Sequence, residues 1–155
     1  MRKLLSLTVV LLLVALSSCE KKEPTALTDE TIVGKATIWG YVSYLEETDY
    51  EYVSGATVNV DLDLKSINPK ASGSKRYTTT TNASGYYEIV VPTLVGATSD
   101  VTVSTTFLAN CKVGGNKKMG LFTETKKESC FDGTRVNVNI KIALPSGFPN
   151  DQDMN

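Results

Sequence analysis

From about Lys35 onward, apolar and polar residues alternate in short runs separated by turn residues. Thr37 to Leu45 opens the series, with Ile38, Val42 and Tyr44 on one face across Gly40, and Trp39 and Tyr41 on the other. After an acidic and aromatic stretch, Glu46 to Tyr52, comes the clearest case. Ala56, Val58, Val60, Leu62 and Leu64 share one side, and Thr57, Asn59, Asp61 and Asp63 the other. A period of two over nine residues is what a half-buried strand requires. Ser66 to Ser74, with Pro69 and Gly73, reads as a loop. Lys75 to Thr81 and Tyr86 to Val91 flank Asn82-Ala83-Ser84-Gly85, which is hairpin chemistry. There Tyr87, Ile89 and Val91 face inward and Pro92 stops the ladder. Asp100 to Leu108 is a further strand, with Val101, Val103, Thr105 and Phe107 on one face. Lys118 to Thr125 is a weaker strand, and Arg135 to Leu144 a strong one. In the latter, Val136, Val138, Ile140, Ile142 and Leu144 alternate with Arg135, Asn137, Asn139 and Lys141. Seven short strands without a convincing helix predict an all-β fold, a seven-stranded antiparallel Greek-key β-sandwich over residues 34–145. Residues 146–155 follow as a polar tail.

The segment before the sandwich has a different pattern. Arg2 and Lys3 precede an apolar run, Leu4 to Leu16, too short to span a bilayer and laid out as a secretory signal. Its end, Leu16-Ser17-Ser18-Cys19, resembles the bacterial lipobox. That resemblance implies cleavage after residue 18 and acylation of Cys19. Two or three acyl chains give stable attachment where one gives only marginal binding. Residues 19–33 would then be a lipidated N-terminus and flexible tether. Glu20 and Glu23 partly match the acidic start that some lipoproteins of the Bacteroidota type use for surface display. The expected location is the cell envelope, at the outer membrane, with its periplasmic and surface faces both open.

Composition narrows the chemistry. Removing residues 1–18 from the 155 leaves 137, enough for one domain with a core. The chain carries a formal charge of −1, without the basic footprint of a nucleic-acid binder. It has no histidine, hence neither the commonest metal ligand nor the commonest general base. No catalytic residue, cofactor or metal site is predicted, and the expected function is non-catalytic.

Three sets of motifs occur in order: Gly40-Tyr41-Val42, then Ser54-Gly55-Ala56-Thr57-Val58-Asn59-Val60, then Thr81-Asn82-Ala83-Ser84-Gly85-Tyr86-Tyr87-Glu88-Ile89-Val90-Val91-Pro92. Together they resemble the carboxypeptidase regulatory-like domain, over about residues 35–108. The resemblance implies a transthyretin-like (prealbumin-like) sandwich used for folding, docking or adhesion. Related hydrolases and dioxygenases depend on histidines that this chain lacks.

Four features remain as candidate sites. Cys111 and Cys130 would be the only cysteines left beside an acylated Cys19, and outside the cytoplasm a disulfide is the simplest reading. Closing that loop would contribute about 3 kcal/mol. Asp61 and Asp63 share an outer face but are too few for Ca²⁺. Glu46, Glu47, Asp49 and Glu51 read as an exposed acidic loop. Trp39 and Tyr41, with Tyr50 and Tyr52 in the next segment, are possible ligand-facing aromatics, although rings of this size usually pack into a core or an edge. Two functions follow: a lipid-anchored structural, docking or adhesion module for an unidentified envelope protein, or a carbohydrate-binding surface lipoprotein.

Overall fold

The computed structural model describes residues 34–148. The signal segment, Cys19, the tether and residues 149–155 lie outside the described residues.

β1 (Gly34–Glu46) is the axis of a five-stranded sheet. Along one edge it pairs antiparallel with β5 (Tyr86–Thr93) and then with β2 (Asp49–Tyr52). Along the other it meets β8 (Arg135–Asn137) and then β9 (Ile140–Ile142), both running parallel to it. The second sheet is fully antiparallel, in the order β4 (Ser74–Thr80), β3 (Thr57–Asp63), β6 (Ser99–Val113) and β7 (Asn116–Cys130). The two sheets enclose one core, in which Ile38, Val58, Val60, Leu62, Val103 and Phe122 are completely buried.

The all-β expectation holds, and its details change. There are nine strands among the described residues rather than seven, and the five-stranded sheet is mixed rather than antiparallel. The stretch Arg135 to Leu144 is two short strands separated at Val138 and Asn139. Leu64 leaves the strand pattern to start a one-turn helix, α1 (Leu64–Ile67), because Asp63 accepts the Lys65 N–H and caps it. Its buried residues, Leu64 and Ile67, keep one face in the core.

The break between β8 and β9 is held by side chains. Val138 turns its carbonyl out of the ladder toward Tyr87, whose buried hydroxyl donates to it at 2.6 Å. Gly40 leaves room for this, since a Cβ there would lie 2.2 Å from the Val138 oxygen. Asn139 Oδ1 accepts the Tyr41 N–H at 3.0 Å, and Lys126 Nζ donates to the Asn139 carbonyl at 2.6 Å. Burial raises the Tyr87 phenol well above its ordinary value, so it remains a donor. These bonds give partners to the Val138 and Asn139 carbonyls and to the Tyr41 N–H, as buried polar groups require.

Thr81 ties the β2–β3 connection to the β4–β5 turn in the same way. Its hydroxyl donates to the Val53 carbonyl at 2.5 Å and accepts the Ala56 N–H at 2.9 Å. Replacing it with valine keeps the shape and orphans both backbone groups. Thr81→Val is expected to cost about 1–3 kcal/mol in urea unfolding, with the midpoint lowered and the slope unchanged.

The cysteine pairing is corrected by the β6–β7 hairpin. Gly114 and Gly115, at φ +60° and +85°, make its turn, so Cys111 lies opposite Lys118 and Cys130 opposite Ser99. Lys118 and Cys130 are twelve residues apart along β7, about 40 Å at strand rise, whereas a disulfide requires Cα atoms within about 7 Å. Both cysteines are free and buried. Burial, with help from Asp100, also raises the Cys130 thiol. Iodoacetamide is therefore expected to leave both unmodified in the native protein and to alkylate both after unfolding without reductant. Intact-mass measurement checks this, and a requirement for prior reduction would contradict it.

Candidate functional site

The alternation in β1 sends Ile38, Gly40 and Val42 into the core, and Trp39, Tyr41, Ser43 and Leu45 outward. Trp39 and Tyr41 are therefore not core residues; they are half-buried on the outer face of the five-stranded sheet. Residues paired across strands share a face. Tyr86 lies opposite Tyr41, Tyr52 opposite Ser43, and Tyr50 opposite Leu45. Register thus collects five aromatics on one surface. Tyr50 and Tyr52 are the most open of them, at 44% and 60% exposure.

The rings are in contact as well as on one side. Trp39 and Tyr86 have centroids 6.3 Å apart, Tyr86 and Tyr41 5.4 Å, and Tyr41 and Tyr52 5.5 Å. Their planes are inclined by 42–62°, so they form a tilted stripe along β1 and not a flat stack. Inclined aromatic contacts of this kind, of which Tyr41–Tyr86 is edge-to-face, fix ring orientation and contribute about 0.5–1.5 kcal/mol each beyond burial. Gly85, at φ +73°, brings its backbone against Tyr52: a Cβ there would sit 2.9 Å from the Tyr52 Cβ and from the Val42 oxygen.

Polar groups border the stripe. Arg135 lies over Trp39 at 6.0 Å and pairs with Glu88 at 2.7 Å, while Tyr86 donates its hydroxyl to the same carboxylate. The Tyr86 hydroxyl and the Arg135 guanidinium hold the Glu88 carboxyl below the usual carboxylate range. This pairing is therefore complete above that range and is lost only as pH falls through the depressed value. Lys141 lies over the Tyr50 ring at 5.4 Å. Asn139 Nδ2 donates to Asn137 Oδ1 at 2.9 Å.

Trp39, Tyr41, Tyr50 and Tyr52, the four candidates read from sequence, all fall on this face. Tyr86, Glu88, Arg135 and Lys141 were not among them. Their signal was present: if Tyr87, Ile89 and Val91 face inward, Tyr86 and Glu88 face outward. Alternation could not say that these strands flank β1.

The other leads do not form sites. Asp61 is paired with Arg76 at 2.8 Å, and Asp63 caps α1. Glu46 and Glu47, in the acidic segment, pair with Lys117 and Lys112. Among the described residues no three His, Cys, Asp or Glu side chains are grouped as metal ligands.

No protein-family model matches the chain, and neither does any curated protein. Among solved structures, the chain is similar to a candidate carbohydrate-binding protein from Pseudomonas aeruginosa. The two share 11% identity at a TM-score of 0.50, over 77% of this chain and 99% of the other. It also matches part of a 9R-lipoxygenase from Cyanothece at 12% identity and a TM-score of 0.38, over 84% of this chain and 19% of the enzyme. At these identities the first likeness concerns the fold alone.

Proposed function

We propose that this chain is a non-catalytic, carbohydrate-binding β-sandwich of the bacterial envelope, anchored through Cys19, that presents the outer face of its five-stranded sheet to a glycan. The observation that carries the proposal is the stripe of Trp39, Tyr86, Tyr41, Tyr52 and Tyr50 on one surface. Sugar rings have apolar faces of C–H groups that stack on aromatic rings, and hydroxyls that bond to bordering amides and charges. A stripe of half-buried and exposed rings with Asn137, Arg135 and Glu88 beside it offers both kinds of contact. The similar Pseudomonas structure gives support at the level of fold. The resemblance to the carboxypeptidase regulatory-like domain remains part of the proposal. Four positions that carry it, Gly40, Thr81, Gly85 and Tyr87, are those that lock the sheets behind the stripe.

A glycan array probed with the full chain in detergent tests the reading. Trp39→Ala is expected to weaken binding about 30-fold, the effect of losing a central aromatic contact of about 2 kcal/mol. Binding indifferent to that substitution would sink the proposal. The anchor has a separate check: labelled palmitate should enter the protein in cells and be absent from Cys19→Ala.

A further inference from the structure

The charges around the stripe are unevenly distributed. On one side of β1, the outward residues of β8, β9 and their junction are Arg135, Asn137, Asn139 and Lys141: two cations, two amides and no acid. On the other side, the outward residues of β5 and β2 include a single carboxylate, Glu88. That carboxylate is occupied by Arg135 and Tyr86. Lys141 has no carboxylate partner among the described residues and stands over Tyr50, the ring farthest along the stripe from Trp39. Asn137 spends its oxygen on Asn139, and its amide N–H groups have no partner among the described residues. Apart from the tyrosine hydroxyls, which donate and accept, the unmet groups on this face are thus a cation and amide hydrogen-bond donors. This holds although the chain as a whole is at −1.

We infer, on the basis of the carbohydrate reading, that the preferred ligand is an acidic glycan, a polymer of uronic acid or similarly anionic sugars. A neutral sugar would satisfy the rings and leave Lys141 hydrated and unused. A carboxylated sugar stacked near Tyr50 and Tyr52 places its anion within reach of Lys141, and the next sugars run over Tyr41 and Tyr86. Glu88 does not oppose such a ligand. Its charge is neutralised where it stands, so it does not repel the polymer.

The test pairs polygalacturonate with its fully methyl-esterified form, which keeps the backbone and removes the charge. Titrated with the full chain in detergent, the acid form is expected to bind at least about tenfold tighter, with the preference shrinking as salt screens the exposed charges. Lys141→Gln should reduce affinity for the acid form about fivefold, the scale of an exposed ion pair, and Lys141→Arg should restore it. Equal binding of both polymers, or Trp39-dependent binding on the array confined to neutral sugars, overturns this inference and leaves the carbohydrate reading standing. Absence of binding to every glycan, neutral or acidic, overturns both.

Discussion

Gly40→Ala is expected to cost about 3 kcal/mol of stability, at the upper end of overpacking effects, because the obstacle is backbone. The added methyl would meet the Val138 carbonyl oxygen, its carbon at 2.7 Å and the Asn139 nitrogen at 3.2 Å. None of these is the end of a side chain that can rotate away. The chain would have to lift β8 and β9 from β1, breaking the Tyr87 and Asn139 hydrogen bonds that hold the junction. Lifting those strands also displaces Arg135 and Lys141 from beside the aromatic stripe. Chemical denaturation gives the first effect, and the near-ultraviolet circular dichroism of the aromatic stripe in the still-folded fraction gives the second. Tyr87→Phe separates the two causes, since it removes the hydroxyl without adding bulk and should cost only about 1–3 kcal/mol.

Phe122→Ala is expected to be at least as severe, at about 3–5 kcal/mol. Phe122 is fully buried and stacks on Phe107, with centroids 5.4 Å apart and planes inclined by 8°. Tyr44 packs on both rings, at 4.9 Å from Phe122 and 6.0 Å from Phe107. These three side chains join β1, β6 and β7, so the cavity left by alanine would lie between the sheets. It could close only by moving a whole sheet. Phe122→Leu, which fills more of that volume, should lose distinctly less. Similar losses for the two variants would mean that the site collapses freely and that the aromatic trio is less rigid than it looks.

The parts of this fold that could be read from sequence were those fixed by alternation within one strand. Ile38 and Val42 on one face with Trp39 and Tyr41 on the other, and Val58, Val60 and Leu62 sharing a side, follow from a period of two; which face of β1 meets the core does not, since rings as large as Trp39 usually pack inward. Adjacency does not follow from it. Nothing in Arg135 to Leu144 states that this stretch returns parallel to β1, because parallel pairing depends on a crossover through the whole domain. The pattern leaves Tyr86 outside the predicted site for that reason; it starts β5 correctly at Tyr86 but stops it at Pro92, whereas the ladder runs on through Pro92 to Thr93 at the end of the sheet. β7 was read as ending near Thr125, yet it continues to Cys130. Its second half turns Glu124, Lys126 and Glu128 inward, where they are half-buried. Inward-pointing charges on an edge strand discourage pairing with other chains and also hide the strand from a hydrophobic pattern.

The cysteines offer a different lesson. Their separation suggests a loop in need of a bridge, and the decisive signal lies between them, close to Cys111 and far from Cys130. Gly114-Gly115 supplies the two positive φ values of a tight hairpin turn, which places residues equidistant from it in register. Cys111 and Cys130 are not equidistant from that turn, so they could not be partners.

The parallel placement of β8 and β9 beside β1 has a mechanical consequence. The first and last long-range partners of the fold run the same way, so the described chain enters at Gly34 at one end of the sheet and leaves Ile142 toward the other. Tension applied between these points pulls lengthwise along the ladder from Thr37 to Tyr44. Its hydrogen bonds are then loaded together in shear and cannot be unzipped one at a time.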